Sequence, residues 1–85
     1  MSKYQCHYIS GGGTEYDGGI WELYETKKMY IFTCIEKSFY ECNWDVLKIN
    51  KDEKKNKRHC LKNWGDGTFT VYPDQCGKPH IFEPI

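Results

Sequence analysis

The sequence predicts an α+β fold: one small domain spanning residues 1–85, an antiparallel β-meander of about 4–6 strands with one helix, approximately residues 51–64, packed on one face. Three observations carry this expectation. The chain has 85 residues, enough for one hydrophobic core and too few for two. Apolar and polar residues alternate in several short runs, the period of a half-buried strand. A lysine-rich stretch of good helix formers lies between two capping signals, Asn50 and Gly65.

The strands follow in order. In "KYQCHYI", Tyr4, Cys6 and Tyr8 alternate with Lys3, Gln5 and His7. "IWELYE" reads as a second strand, joined through a turn near Thr26–Lys28 to "MYIFTCI", which is apolar on both faces as a central strand is. "YECNWDV" alternates cleanly, with Tyr40, Cys42, Trp44 and Val46 on one side. A capping box at Ser38 and Glu41 offers a helical alternative there, but aromatic and β-branched content favours the strand. A hairpin centred near Ser38 would set Cys34 against Cys42, Phe32 against Trp44 and Tyr30 against Val46. One sheet face then carries Trp21, Leu23, Tyr30, Phe32, Trp44 and Val46. The other carries Ile20, Tyr24, Met29, Ile31, Ile35 and Leu47. The N-terminal strand and the C-terminal hairpin are the elements available to cover that second face.

For the helix, Asn50 would cap with Glu53 at the third position, and Gly65 would end it. Only Cys60, Leu61 and Trp64 can dock it, so its first half should be solvated. "GDGT" turns the chain into "TFTVY", with Phe69 and Val71 inward, and "HIFE" forms a short last strand.

Composition is globular, with 39% hydrophobic, 16% aromatic and 28% charged residues. The formal net charge is zero, so no global field draws the chain to nucleic acid or anionic lipid. No apolar run approaches the ~18 residues of a membrane span, and "MSKYQCHYIS" lacks the apolar stretch of a signal peptide. The expected location is therefore cytoplasmic, with no membrane partner. Five cysteines, an odd number, are expected to be reduced.

"SGGGTEYDGGI" places five glycines in eleven residues. Gly13 and Gly18 have the spacing of a phosphate-binding loop, but Gly19 stands where the lysine is needed, and Glu15 and Asp17 would repel phosphate. The reading is instead a flexible acidic loop between strands with Tyr16 at its centre. Cys76 and His80 have a metal-ligand spacing, with His59 or Cys60 as further candidates, yet no Cys-x-x-Cys knuckle supports them. A nucleophilic role for Cys76 lacks a defined base and oxyanion hole. No cofactor and no enzymatic activity are expected.

The resulting expectation is a non-enzymatic protein-interaction module acting through Glu15, Tyr16, Asp17, Tyr24 and Ile31. An acidic loop suits a basic partner, including a nucleic-acid-binding host or cellular protein. An apolar second face would equally suit a homodimer. In size and style the chain is similar to small proteins that phages and mobile elements encode to bind and block a host protein, anti-CRISPR proteins among them. That likeness is one of class and carries no site residues. The alternative is a small nucleic-acid-binding domain, since "KDEKKNKRHCLK" carries six basic and two acidic side chains and Lys54, Lys55, Lys57 and Arg58 could contact phosphates. A zinc- or cysteine-dependent protein is the third reading.

Overall fold

The structure, a computed structural model, describes residues 2–38, 45–56, 60–72 and 79–85. Its strands are β1 (Ser2–Ile9), β2 (Glu15–Glu25), β3 (Met29–Glu36), β4 (Val46–Asn50), β5 (Cys60–Asn63), β6 (Phe69–Tyr72) and β7 (His80–Pro84). They form one sheet in the order β4-β3-β2-β1-β7-β6-β5, every neighbouring pair antiparallel.

This sheet is rolled. In a flat sheet β3 and β6 would lie four strand spacings apart, roughly 19 Å. Instead the rings of Phe32 on β3 and Phe69 on β6 have centroids 5.7 Å apart, and Tyr30 and Phe69 lie at 5.5 Å. Phe82 stacks on Phe32 at 4.4 Å and meets Trp21 edge-on at 5.3 Å. The roll is thus closed by aromatic packing across a near-barrel, and Trp21, Phe32, Leu47, Ile49, Val71 and Phe82 are sealed inside it.

Two bulges let the sheet bend. On β2, Gly18 is left out of register between the pairs Cys6–Gly19 and His7–Asp17. On β3, Ile35 is skipped between the pairs Ile20–Glu36 and Trp21–Cys34. A bulge adds twist and turns the strand, which is what rolling a sheet requires. The glycine pair is needed here on steric grounds. A Cβ on Gly18 would lie 2.6 Å from the Cys6 sulfur, and Gly19 has φ +89° with its Cα packed against the Glu36 carbonyl. The bulge also turns the Gly18 carbonyl inward to accept the buried Trp21 indole N–H at 2.8 Å. Asp17 locks it from outside, accepting from the Gly19 N–H at 2.8 Å and the Gln5 amide at 2.7 Å.

Turns follow local chemistry. The Thr26 hydroxyl accepts from the N–H groups of Lys28 and Met29, closing the β2–β3 hairpin where it was expected. In the β5–β6 hairpin, Gly65 and Gly67 take positive φ, and the Asp66 carboxylate accepts from the Thr68 N–H at 2.9 Å. Hydrogen bonds from the Thr68 backbone and side chain hold the Asp66 carboxyl below its usual range.

Several expectations are corrected. The fold is β rather than α+β, and the described residues contain no α-helix. Of residues 51–64, Glu53–Lys55 form a single 3-10 turn capped by Asp52, and Cys60–Asn63 form β5. Residues 51–58 contain no apolar side chain, so a helix there would bury nothing. Leu61 is used better as a strand residue facing Val71. Gly65 is a hairpin glycine, not a helix terminus. The β3–β4 register differs by three residues: Phe32 faces Leu47, Thr33 faces Val46 and Tyr30 faces Ile49. Leu47 and Ile49 are therefore buried while Val46 is 42% exposed, the reverse of the expected parity. Cys42 and Trp44 lie outside the described residues. The first and last strands do not cover the second face. They extend the same sheet and curl over the Trp21 face, leaving Tyr24, Ile31 and Ile35 on the outward side.

Candidate functional site

The residues expected to bind a partner fall into two separate places. Glu15, Tyr16 and Asp17 are in β2, not in a loop; the loop proper is residues 10–14. Glu15 pairs with His7 Nδ1 at 3.0 Å, and Glu83 lies 3.9 Å from the other ring nitrogen. Tyr16 is half-buried and stacks on Tyr8 at 5.2 Å, while Asp17 is committed to the bulge. Tyr24 lies eight residues further along the strand, roughly 26 Å at full extension. It is 56% exposed on the outward face, directly across from Ile31.

The remaining candidates are scattered. Lys54 and Lys55 are exposed in the 3-10 turn, and Lys57 and Arg58 lie outside the described residues. Cys76 also lies outside them. His80 is buried and stacks on Tyr8 at 5.5 Å. Among the described residues no group of three or more His, Cys, Asp or Glu side chains is placed to hold a metal. Cys6, Cys34 and Cys60 are thiols rather than disulfide partners, and burial pushes the Cys34 thiol above its ordinary value. No helix is long and apolar enough to cross a membrane among the described residues.

What the fold does assemble is an outward apolar face beside a strand, β4, that has a neighbour on one side only among the described residues. Tyr24 on β2, Ile35 on β3 and Val46 on β4 are exposed, and the cross-strand pairs Tyr24–Ile31 and Ile31–Lys48 run as a row to the edge strand. Hydrogen bonds from the Cys34 N–H to the Asp45 carbonyl and from the Lys51 N–H to the Lys28 carbonyl fix the phase of the β3–β4 ladder. Antiparallel alternation then turns the peptide groups of Leu47 and Ile49 toward β3, and those of Val46, Lys48 and Asn50 outward.

Among the described residues, Asn50 alone of these three is closed off by another part of the chain. The Asn56 side-chain amide donates to the Asn50 carbonyl at 2.7 Å and accepts from its N–H at 2.9 Å, standing in for a neighbouring strand. Across the gap lies β5, whose ladder phase is set by the Trp64 N–H bonded to the Thr68 carbonyl, so Leu61 and Asn63 turn their peptide groups toward the seam. A cavity of about 220 Å³ separates the two edges, floored by Tyr30, Ile49 and Leu61 and rimmed by Asn50, Asn56 and Asn63.

The cavity rim carries one acid, Glu53, beside Lys51, and further lysines stand outside it. Lys48 and Lys62 flank it on the outward side; the Lys62 ammonium sits 3.8 Å from the Trp64 ring centroid. Lys51 lies over the Tyr30 ring at 4.9 Å and pairs with Glu25 at 3.2 Å. At the barrel end away from residues 10–14, a wider hollow of about 610 Å³ is floored by Tyr4, Leu23 and Phe69, with Gly65, Gly67 and Glu25 in its wall. Burial pushes the Tyr4 phenol up, which suits a packing role.

Lys48 and Asn56 were not singled out from the sequence. Lys48 carried a readable signal, a lysine in the middle of a short apolar strand, which is how edge strands are marked. Asn56 carried none, because its partner is set by the path of the 3-10 turn. Comparison of the chain with protein-family models, with curated proteins and with solved structures finds no match.

Proposed function

We propose that this chain is a non-enzymatic protein-binding module that engages an apolar surface of a partner protein through the outward face of β2–β4 and the adjoining β4 edge. The observation that supports it is the placement of Tyr24, Ile35 and Val46, all more than two-fifths exposed, on three neighbouring strands. Large apolar side chains grouped beside a strand edge that is unpaired among the described residues have a desolvation benefit to gain from a partner. Tyrosine adds rigid contact area with a polar tip. The acidic residues of the glycine-rich stretch are not part of this surface, since their side chains hold β1, β2 and the bulge together. The narrower reading, an inhibitor from a phage or mobile element, rests on size and style alone.

Photo-crosslinking tests the proposal. A benzophenone amino acid is placed at position 24 or 46, with position 11 in the β1–β2 turn as control, and irradiated in extract of the source cell. Crosslinks to one protein species from positions 24 and 46, absent from position 11 and lost in Ile35→Asp, are the expected result. Equal labelling from all three positions, or crosslinks only to the chain itself, overturns it.

A further inference from the structure

The open seam has a geometry that specifies what would fill it. Seven strands alternate in direction around the rolled sheet, so β4 and β5 run the same way across the gap. Direct closure would need a parallel pair, whereas every pair in this sheet is antiparallel. One more strand, running opposite to both, would complete an even-numbered antiparallel barrel.

We propose that the partner's contribution is an extended acidic segment that adds to β4 as an eighth strand, its alternate side chains apolar and acidic. This rests on the protein-binding reading above and names the partner's chemistry. The peptide groups of Val46 and Lys48 supply two N–H donors and two carbonyl acceptors, the backbone grip of strand addition. Side chains of the added strand that point inward meet Tyr30, Ile49 and Leu61 at the 220 Å³ cavity, so those positions are apolar. Side chains that point outward fall between Lys48 and Lys62, so those positions are acidic.

Charge selects against the other occupants. Among the described residues from Val46 to Asn63, Lys48, Lys54, Lys55 and Lys62 stand against Asp52 and Glu53, and Lys51 is paired with Glu25. A second copy would bring this basic edge against itself, because a two-fold interface uses the same patch twice. A lysine in mid-edge is itself a known deterrent to such self-pairing. Asn56 sets the length of the grip by occupying the groups of Asn50.

The test uses the full chain, labelled with ¹⁵N, and a synthetic seven-residue peptide of alternating Glu and Val with blocked ends. Saturable binding is expected, with slowed exchange at the Val46 and Lys48 amides and affinity that falls with added salt. Lys48→Glu should weaken binding about ten-fold or more, and N-methylation of alternate peptide residues should abolish it. A heptaglutamate peptide and a short single-stranded oligonucleotide serve as controls. Equal binding by heptaglutamate, tighter binding by the oligonucleotide, or unchanged affinity in Lys48→Glu overturns the proposal. So does a dimer by sedimentation that protects the same amides without peptide. If Ile35→Asp abolishes crosslinking to the cellular partner while Lys48→Glu leaves it intact, protein binding stands and strand addition falls.

Discussion

Replacing Gly18 with alanine isolates the device that rolls the sheet. The added Cβ would sit 2.6 Å from Cys6 Sγ, 3.1 Å from Cys6 Cβ and 3.2 Å from the Cys6 carbonyl carbon. Cys6 is fully buried, so its side chain cannot swing out into solvent to make room. Overpacking of this kind costs about 1–3 kcal/mol, and the backbone contact places Gly18→Ala in the upper half of that range. The closest clash is with the sulfur, so a second substitution relieves it selectively. Cys6→Ala alone loses packing; combined with Gly18→Ala it removes the 2.6 Å contact. The double variant should therefore be more stable than the sum of the singles by about 1 kcal/mol, a coupling within the usual range for touching residues. Urea unfolding followed by fluorescence of the buried Trp21 measures all four proteins. A Gly18→Ala variant within about 0.5 kcal/mol of the parent, or strict additivity of the pair, would refute the steric account of the bulge.

Trp21→Phe should cost about 1–3 kcal/mol beyond its loss of ring area, because the inward-turned Gly18 carbonyl loses the buried indole donor; unfolding midpoints check this, and a near-neutral result would show that the bulge needs no indole. Stability should fall as pH rises through 9 and 10. The Cys34 thiol and the Tyr4 phenol are both raised in the folded chain above their ordinary values of 9.0 and 10.0, so the unfolded chain releases those protons first. Their contribution is complete below pH 9 and is lost above it, and Cys34→Ser with Tyr4→Phe should flatten the profile of melting temperature against pH; an unchanged slope would contradict it. Thiol alkylation should be fastest at exposed Cys60, slower at Cys34 and slowest at fully buried Cys6, which mass mapping after brief treatment reads directly.

The strands were legible because their period of two survives any ordering of the sheet. Tyr4, Cys6, Tyr8, Trp21, Leu23, Phe32, Phe69 and Val71 all lie on the side that alternation assigned to them. The phase of β4 was not legible. Val46 and Leu47 are both apolar, so alternation can be continued from either one, and only the length of the β3–β4 connection decides between them. The helix between Asn50 and Gly65 looked sound from propensity and caps, yet it offered no apolar stripe in its first two turns, and tertiary pairing took Cys60–Asn63 into the sheet. Gly18 and Gly19 looked like the end of a flexible loop. Their real task, a close approach to Cys6 and Glu36, depends on neighbours remote in sequence. The candidate site shared this limit: Tyr24 and Ile31 were legible as outward residues, whereas the open edge they adjoin required the strand order.

Amide hydrogen exchange along β4, read residue by residue in the free protein, tests the open seam most directly. Leu47 and Ile49 donate toward β3 and should exchange slowly, while Val46 and Lys48 should exchange quickly and Asn50 should be protected through Asn56. Asn56→Ala should move Asn50 into the fast group and leave Leu47 and Ile49 slow. Slow exchange at Val46 and Lys48, equal to that of Leu47 and Ile49, would mean that the edge is already paired and would contradict both the open barrel and its use as a strand acceptor.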